Sequence, residues 1–157
     1  MGPGYVLYDL GCGDGRIVVA AAKKYGIRAV GVDIDPRRVG EAKANARSNH
    51  VQQLVEFRLA DAKQVDLSEA TIVTLYLGPD GTLLLADSLR KRLRPGTRLA
   101  SCETPIYGWT SDEQETYVSM EGRKIQFFLW HIGEMAGTSV TKGAPCFPTV
   151  PLQTATR

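Results

Sequence analysis

A run of seven residues, Asp9 to Gly15 (D-L-G-C-G-D-G), constrains the fold of this chain more than any other segment. It follows a short β-branched and aromatic stretch, Tyr5 to Leu10, which is typical of a buried strand. It precedes a helical stretch, Arg16 to Tyr25, that Gly26 is placed to end. Three alternate glycines at such a junction favour a ligand-binding loop over a simple tight turn, because they permit close backbone approach. The carboxyl end of a strand in an open parallel sheet is where α/β proteins bind ligands.

The spacing and the charge of this loop narrow the choice of ligand. A dinucleotide site has the pattern G-x-G-x-x-G and a P-loop continues into Gly-Lys-Ser/Thr, whereas the loop here has G-x-G-x-G. The loop also carries Asp9 and Asp14, whose carboxylates would repel phosphates. An acidic loop suits a ligand with cationic groups. S-adenosylmethionine has a sulfonium and an ammonium group and no phosphate.

Strand-like and helical stretches alternate along the rest of the chain. One helix is predicted from Pro36 to about Asn49, after a capping Asp35, and another from Pro79 to the break at Pro95-Gly96. The further predicted strands are Arg28–Asp33, Val55–Ala60, Thr71–Leu77, Arg98–Cys102, Gln114–Met120 and Lys124–Ile132. This alternation predicts a parallel sheet that closes on an antiparallel hairpin. The stretch between the third and fourth strands leaves room for only a turn of helix.

Two carboxylates end later strands at the same predicted edge. Asp33 ends the second strand and could accept both hydroxyls of a ribose. Its alternative role, capping the next helix, is already filled by Asp35. Asp61 ends the third strand and could accept the exocyclic amine of adenine, although alone it would more often be a turn residue. Its register with Asp9 and Asp33 favours the ligand role.

Asp9 to Gly15, Asp33 and Asp61 together resemble the successive motifs of class I S-adenosylmethionine-dependent methyltransferases. The resemblance covers residues 5–135. It implies a Rossmann-like, doubly wound α/β fold, with a mainly parallel seven-stranded sheet of order 3-2-1-4-5-7-6 in which strand 7 is antiparallel. It also implies S-adenosyl-L-methionine as the cofactor. The residues it implies for cofactor binding are Asp9, Gly11, Cys12, Gly13, Asp14, Gly15, Asp33, Ile34, Asp61 and Ala62.

Longer stretches are similar to the seven-strand protein-lysine methyltransferases, which include bacterial, archaeal and mitochondrial enzymes and are related to the non-SET histone-lysine methyltransferase domain. The first stretch is D-L-G-C-G-D-G-R-I-V-V-A-A-A, and the later ones are S-E-A-T-I-V-T-L-Y-L-G-P and L-R-K-R-L-R-P-G-T-R-L-A-S. This similarity implies methyl transfer to a lysine side chain, with a protein that exposes that lysine as the partner.

Aromatic residues after the fourth and fifth strands are candidates for the catalytic site. A lysine must lose its proton before it is methylated, since its free pKa is about 10.4, and an apolar channel lowers that pKa by desolvation. Tyr76, Tyr107 and Trp109 are positioned to line such a channel. Glu103, at the end of the fifth strand, could orient the amine. For Tyr107 and Trp109, simple packing of a loop over the sheet is the alternative.

Two departures from the family patterns bear on the function. After the fourth strand the chain has L-G-P-D, where enzymes that methylate small-molecule or nucleic-acid amines usually have [Asn/Asp]-Pro-Pro-[Tyr/Phe], so recognition of a planar amine is not indicated. Before the first strand it has only Met1 to Gly4, where the lysine methyltransferases carry a helical segment that helps to close the cofactor pocket. The alternatives are a small-molecule methyltransferase and a catalytically incomplete cofactor-binding module lacking its N-terminal segment.

Composition excludes several other classes of protein. The 157 residues are 43% hydrophobic and 23% charged, as in a single globular domain. Basic and acidic residues number 19 and 17, so we expect no nucleic-acid partner. The longest apolar run, Ile17 to Ala22, is far too short to span a membrane, and with no secretory signal we expect a cytoplasmic protein. The three cysteines lack C-x-x-C spacing, so no metal site is predicted.

We expect residues 1–136 to form the S-adenosylmethionine-binding domain and residues 137–157, rich in Pro and Thr, to form an irregular C-terminal tail. His131 lies on the last strand, away from the cofactor edge, and is expected to be structural. A basic cluster falls at the end of the helix that begins at Pro79, where cations are favourable, and is interpreted as a solvated face. Its members are Arg90, Lys91, Arg92 and Arg94.

Overall fold

The computed structural model describes residues 4–133, so the tail predicted over 137–157 lies outside the described residues. Seven strands form one sheet in the order β3-β2-β1-β4-β5-β7-β6, which confirms the predicted topology. Strand β7 runs antiparallel to both of its neighbours, β5 and β6, and the other neighbouring pairs are parallel. The strands are β1 (Val6–Leu10), β2 (Arg28–Asp33), β3 (Val55–Leu59), β4 (Ile72–Leu75), β5 (Arg98–Cys102), β6 (Glu113–Val118) and β7 (Lys124–His131).

Three helices join the parallel strands, and local signals in the sequence set their ends. They are α1 (Arg16–Tyr25), α2 (Pro36–Ser48) and α3 (Pro79–Arg92). Gly26 ends α1 in the left-handed conformation, with φ 62°. The Asp35 carboxylate caps α2 by accepting the backbone N–H of Arg37 at 2.8 Å. None of the helices in residues 4–133 combines the length and the apolar character needed to cross a bilayer.

The sheet has a hydrophobic core on each face, because alternate strand residues point to opposite sides. Leu7 belongs to the core formed with α1 and α2, whereas Tyr8 and Leu10 belong to the core formed with α3. The stretch from residue 60 to residue 71, between β3 and β4, contains turns and no helix. Its buried residues Val65 and Leu67 pack in the α3 core and cover the face where a crossover helix would otherwise lie.

One member of the basic cluster, Arg92, is half-buried, so the interpretation as a solvated face was wrong for it, whereas Arg90, Lys91 and Arg94 are exposed as expected. The Arg92 guanidinium donates to the carbonyl oxygens of Val65 (2.6 Å) and Ala62 (2.8 Å) and so ties α3 to the helix-free stretch. Its burial lowers the pKa of Arg92. The Arg90 guanidinium lies 4.6 Å from the centre of the Trp109 ring. Spacing along a helix cannot reveal such contacts, because both partners come from irregular segments.

A pair of glycine substitutions tests the packing beneath the loop. A Cβ on Gly31, in β2, would lie 2.7 Å from Phe57 Cδ1 and 2.8 Å from Cys12 Sγ, so we expect Gly31→Ala to lower the free energy of unfolding by about 1–3 kcal/mol. A Cβ on Gly40, in α2, would meet nothing within 4 Å, so Gly40→Ala should raise it by about 0.5–1 kcal/mol. Urea unfolding measures both. Equal stability of Gly31→Ala and the parent chain would contradict this packing.

Candidate active site

The glycine loop is held against β2 by backbone hydrogen bonds and by one carboxylate. Gly11, Gly13 and Gly15 all have positive φ angles, of 79°, 54° and 74°. The Asp33 carboxylate accepts the N–H of Gly13 at 2.9 Å and the N–H of Asp35 at 3.0 Å. A carboxylate has about four acceptor positions, so Asp33 keeps capacity for a ligand while it fixes the loop.

A cavity of about 300 Å³ opens at the carboxyl edge of β1, β2 and β3. Its walls are mainly apolar, and two acidic residues, Asp33 and Asp61, are among the residues that line it. Ile34 and Leu84 leave 73% and 61% of their surface exposed, which offers apolar faces for a flat ring. The lining residues are Gly11, Val32, Asp33, Ile34, Ala60, Asp61, Ala62, Lys63, Leu77, Gly81, Leu84 and Leu85.

Asp9 lies beneath the loop as a buried acid. It is 1% exposed, and the Thr74 hydroxyl donates a hydrogen bond of 2.7 Å to its Oδ1. The pKa of Asp9 is raised to about 7, mainly by burial; the hydrogen bond from Thr74 lowers it in part, and the nearby charges of Asp33 and Asp14 contribute to the rise. The carboxyl group therefore titrates near neutral pH, and a nearby cationic ligand would favour its ionised form.

The other predicted cofactor residues shape the loop and do not line the cavity. Cys12 is buried in the core with α1 and α2, and burial raises the pKa of its thiol to about 12. Asp14 forms an exposed ion pair with Arg16, with a shortest N–O distance of 2.8 Å, and this contact lowers the pKa of Asp14. Gly15 precedes α1, where a Cβ would lie 2.7 Å from Phe57. Among the predicted cofactor residues, those that line the cavity are Gly11, Asp33, Ile34, Asp61 and Ala62.

A second polar cluster lies where β4 and β5 end, and it unites two of the predicted catalytic residues. The Tyr76 hydroxyl donates to Glu103 Oε2 at 3.1 Å, and the Arg123 guanidinium donates to Glu103 Oε1 at 2.6 Å. Arg123 lies in the turn between β6 and β7. Both hydrogen bonds hold the pKa of Glu103 below its usual range, and the bond from Arg123 has the larger effect. The pKa of Tyr76 is raised, mainly by burial and to a smaller extent by the hydrogen bond to Glu103.

The backbone of Glu103 has an unusual conformation. Its φ is 62°, which a residue with a side chain rarely adopts, and its N–H donates to the carbonyl of Gln126 in β7 at 2.7 Å. Conformations of this kind cost about 1–3 kcal/mol and cluster at functional sites. The carboxylate also lines a second cavity, of about 410 Å³, together with Thr116, Lys124 and Gln126. Glu103 can therefore be reached from the hairpin side.

The other two predicted catalytic residues lie in different surroundings. Tyr107 is 72% exposed. Trp109 packs edge-on against Trp130 of β7, with ring centres 6.3 Å apart, and stacks with Arg90 of α3. These contacts match the packing alternative for Trp109, since Trp130 belongs to the core between α3 and the sheet and Trp109 packs against that core. The structure thus brings Tyr76 and Glu103 together and places Trp109 in a packing role.

Sequence reasoning missed Arg123, Lys63, Leu77 and Leu84. Leu77 and Leu84 carry no signal beyond helix and strand periodicity, and Arg123 reaches Glu103 only because β7 pairs with β5 in a particular register. His131 pairs with Arg98 at the start of β5, far from the carboxyl edge, as expected. Within residues 4–133, no three His, Cys, Asp or Glu side chains are grouped so that they could hold a metal ion.

Comparisons with known proteins agree with this geometry. The family model described as the ANTKMT methyltransferase domain matches residues 9–113. A protein-lysine N-methyltransferase of Saccharolobus islandicus is 44% identical over 82% of this chain and 80% of its own length. A human lysine N-methyltransferase named for the ATP synthase is 36% identical over 68% of this chain, which covers 45% of that protein. The chain thus spans about half the length of this human relative.

Among solved structures, an RNA methyltransferase from Salinibacter ruber in complex with S-adenosyl-L-homocysteine is similar over 88% of this chain and 87% of its own. The identity is 42% and the TM-score 0.74. S-adenosylhomocysteine is the product that S-adenosylmethionine leaves after it loses its methyl group. Together with the family match, this structure confirms S-adenosyl-L-methionine as the cofactor. The mainly apolar cavity with a carboxylate from β2 and another after β3 fits its adenosine portion.

Substitution of Asp33 tests its predicted contact with the cofactor. We expect Asp33→Ala to weaken binding of S-adenosylhomocysteine by about 1.5–3 kcal/mol, because a charged acceptor of hydrogen bonds is lost. Isothermal titration calorimetry measures the change. The control is Asp66→Ala, since Asp66 makes a similar local turn, accepting the N–H of Ser68 at 2.9 Å, outside the cavity. Unchanged affinity in Asp33→Ala would contradict the ribose assignment, and Asp61→Ala should have a smaller effect.

The raised pKa of Asp9 predicts a pH dependence of stability. The pKa of Asp9 is about 7 in the folded chain against 3.8 as the ordinary value, so the folded state retains a proton that the unfolded state loses. The contribution of Asp9 to the free energy of unfolding is fully present below pH 3.8. It is lost as the pH rises through 7, by up to ~4 kcal/mol. Asp9→Asn keeps an acceptor for Thr74 and removes this loss.

Urea unfolding at pH 5 and pH 8 measures the effect. We expect the stability of Asp9→Asn relative to the parent chain to rise by at least about 1 kcal/mol between these pH values. A stability difference that is the same at both pH values would contradict a raised pKa for Asp9.

Proposed function

The chain belongs to the family of the ANTKMT methyltransferase domain, and on this premise we propose that it transfers a methyl group to a lysine side chain of a protein. The coarser activity, S-adenosylmethionine-dependent methyl transfer, follows from the family. The observation that carries the finer proposal is the Glu103 carboxylate, which Tyr76 and Arg123 hold at the carboxyl edge of the sheet. A carboxylate there can orient an amine. The names of the relatives with 44% and 36% identity support the same acceptor.

The chemistry requires positioning more than activation of the methyl group. S-adenosylmethionine supplies an electrophilic methyl group on a sulfonium sulfur. The neutral lysine nitrogen donates its lone pair to the methyl carbon, the carbon–sulfur bond breaks with its electron pair going to sulfur, and the surplus proton on nitrogen leaves to solvent. Holding two reactants in line accounts for much of the rate of such displacements. In this proposal Glu103 accepts an N–H of the amine, and Tyr76 fixes the Glu103 carboxylate.

Methylation of RNA is the second candidate, because the Salinibacter ruber relative is described as an RNA methyltransferase. The charge of this chain argues against it. Residues 1–136 carry 17 basic and 17 acidic side chains, whereas a protein that contacts many phosphates shows a basic excess. Two of the arginines in the basic cluster are also engaged within the protein, Arg92 with backbone carbonyls and Arg90 with Trp109.

A labelling experiment separates the candidates. The chain is incubated with methyl-labelled S-adenosylmethionine and a whole-cell lysate, and portions are then digested with ribonuclease or with protease. We expect label that survives ribonuclease, is released by protease and maps to methylated lysine by mass spectrometry. Label released by ribonuclease supports RNA as the acceptor, and label in small metabolites supports a small-molecule enzyme. No label at all supports a module that binds the cofactor without catalysis.

Glu103→Gln tests the orienting carboxylate. The amide keeps the size of the side chain and loses its charge, so we expect kcat/KM for lysine methylation to fall by a factor of about 10–100, which corresponds to one hydrogen bond to a charged group. The affinity for S-adenosylhomocysteine should not change. Glu69→Gln is the control, because Glu69 forms an exposed 2.7 Å ion pair with Arg28 at the start of β2, at the opposite edge. Equal kcat/KM in Glu103→Gln and the parent chain would contradict the role.

A further inference from the structure

A carboxylate that binds an amine creates a difficulty for methyl transfer. An opposite charge nearby favours the protonated form of an amine, and a protonated lysine has no lone pair to donate. An uncompensated Glu103 would therefore hold the lysine in place and at the same time keep it unreactive. A lysine methyltransferase that uses Glu103 needs a group that offsets this charge.

Arg123 is placed to do this. Its guanidinium donates to Glu103 Oε1 at 2.6 Å, while the Tyr76 hydroxyl occupies Oε2 at 3.1 Å. Each carboxylate oxygen has a further acceptor position, so an amine can bind Glu103 while Arg123 and Tyr76 remain in place. We propose that Arg123 neutralises Glu103 while the acceptor is bound, so that the carboxylate orients the lysine nitrogen without holding it as an ammonium. This inference rests on the proposed lysine methylation.

The register of β7 against β5 brings the hairpin that carries Arg123 to Glu103. Cys102, the last residue of β5, pairs with Phe127, so Lys124, Ile125 and Gln126 of β7 extend beyond the end of β5. The N–H of Glu103 donates to the Gln126 carbonyl at 2.7 Å and anchors this overhang. The turn at the end of the hairpin therefore lies at the carboxyl edge of the sheet, where Arg123 bonds Glu103.

The other charged and titratable groups around Glu103 leave this balance in place near neutral pH. Cys102 precedes it, and burial raises the pKa of that thiol to about 11, so it is uncharged. Tyr76 also stays neutral, since burial raises its pKa. Lys124 lines the same cavity as Glu103 and adds a positive charge on the β7 side. Arg16 of α1 adds a further positive charge on the Tyr76 side, beyond its ion pair with Asp14.

The pH profile of kcat tests the inference, because it reports groups that titrate in the enzyme–substrate complex. The acceptor is the protein that is most strongly labelled in the lysate experiment. It is purified before the pH profiles are measured. We expect Arg123→Gln to move the acidic limb of the profile to higher pH by about 0.5–1 unit, which lowers kcat at pH 7 by a factor of about three to ten. Near pH 10 the two enzymes should converge. Arg123→Lys restores a positive charge and should restore much of the parent profile.

Arg28→Gln is the matched control, since it removes an exposed arginine that is also paired with a glutamate at 2.7 Å but lies at the start of β2. Its profile should not move. A fall in kcat by the same factor at every pH in Arg123→Gln would show a merely structural role and overturn the inference. A lower KM with an unmoved profile would show that Arg123 competes with the amine for Glu103, which also overturns it.

The two levels of the proposal fail in different ways. If the chain labels no lysine at any pH, lysine methylation is refuted, and the role of Arg123 is refuted with it. If the chain labels lysine and Arg123→Gln retains the parent profile, only the inference is refuted, and the proposed function stands. The carboxyl ¹³C signal of Glu103 gives a readout without catalysis: its pKa should rise in Arg123→Gln, because the guanidinium holds it low.

Discussion

The Asp33 carboxylate fixes two loops at once, and the geometry of the cofactor site depends on it. One oxygen accepts the N–H of Gly13 and the other accepts the N–H of Asp35, so the turn after β1 and the turn after β2 are held to a single side chain. The backbone N–H groups of Gly11 and Cys12 bond the Val32 carbonyl beside it. The loop can lie this close to β2 because its glycines adopt positive φ angles. The site is therefore largely formed before a ligand enters.

Three acidic residues lie close together around the glycine loop, and protonation, an ion pair and hydrogen bonds partly offset their negative charge. Asp9 is buried beneath the loop with a pKa of about 7, Asp14 is paired with Arg16, and Asp33 is bonded to the backbone. A cation bound near these groups would relieve the mutual repulsion of their charges. The arrangement explains in physical terms why an acidic, glycine-rich loop suits a sulfonium and an ammonium group. The same kind of balance recurs at Glu103, where the compensating charge comes from the protein itself.

The sequence predicts those parts of the molecule that follow from local chemistry. The strand, glycine loop and helix at the start of the chain, the capped helix after Asp35 and the carboxylates that end β2 and β3 all have signals within a few residues. The sheet order came from the family resemblance, not from the residues alone. Arg92, Trp109 and Arg123 could not be placed in advance, because their roles depend on contacts between segments distant in the chain. Asp14 and Cys12 lie next to glycine residues of the loop, yet neither lines the cavity. The Asp14 side chain pairs with Arg16, and the Cys12 side chain packs in the core with α1 and α2.

The hairpin of β6 and β7 lies apart from the cavity at the carboxyl edge of β1, β2 and β3, because none of its residues lines that cavity. Within residues 4–133, the residues that line that cavity lie between Gly11 and Leu85, whereas Glu103 and Arg123 belong to the later part, joined to it mainly through the pairing of β5 with β4. A change in the length or charge of the hairpin therefore alters no residue that lines this cavity. Substitutions confined to one peripheral ribbon can therefore alter the polar cluster of Tyr76, Glu103 and Arg123 separately from the cavity.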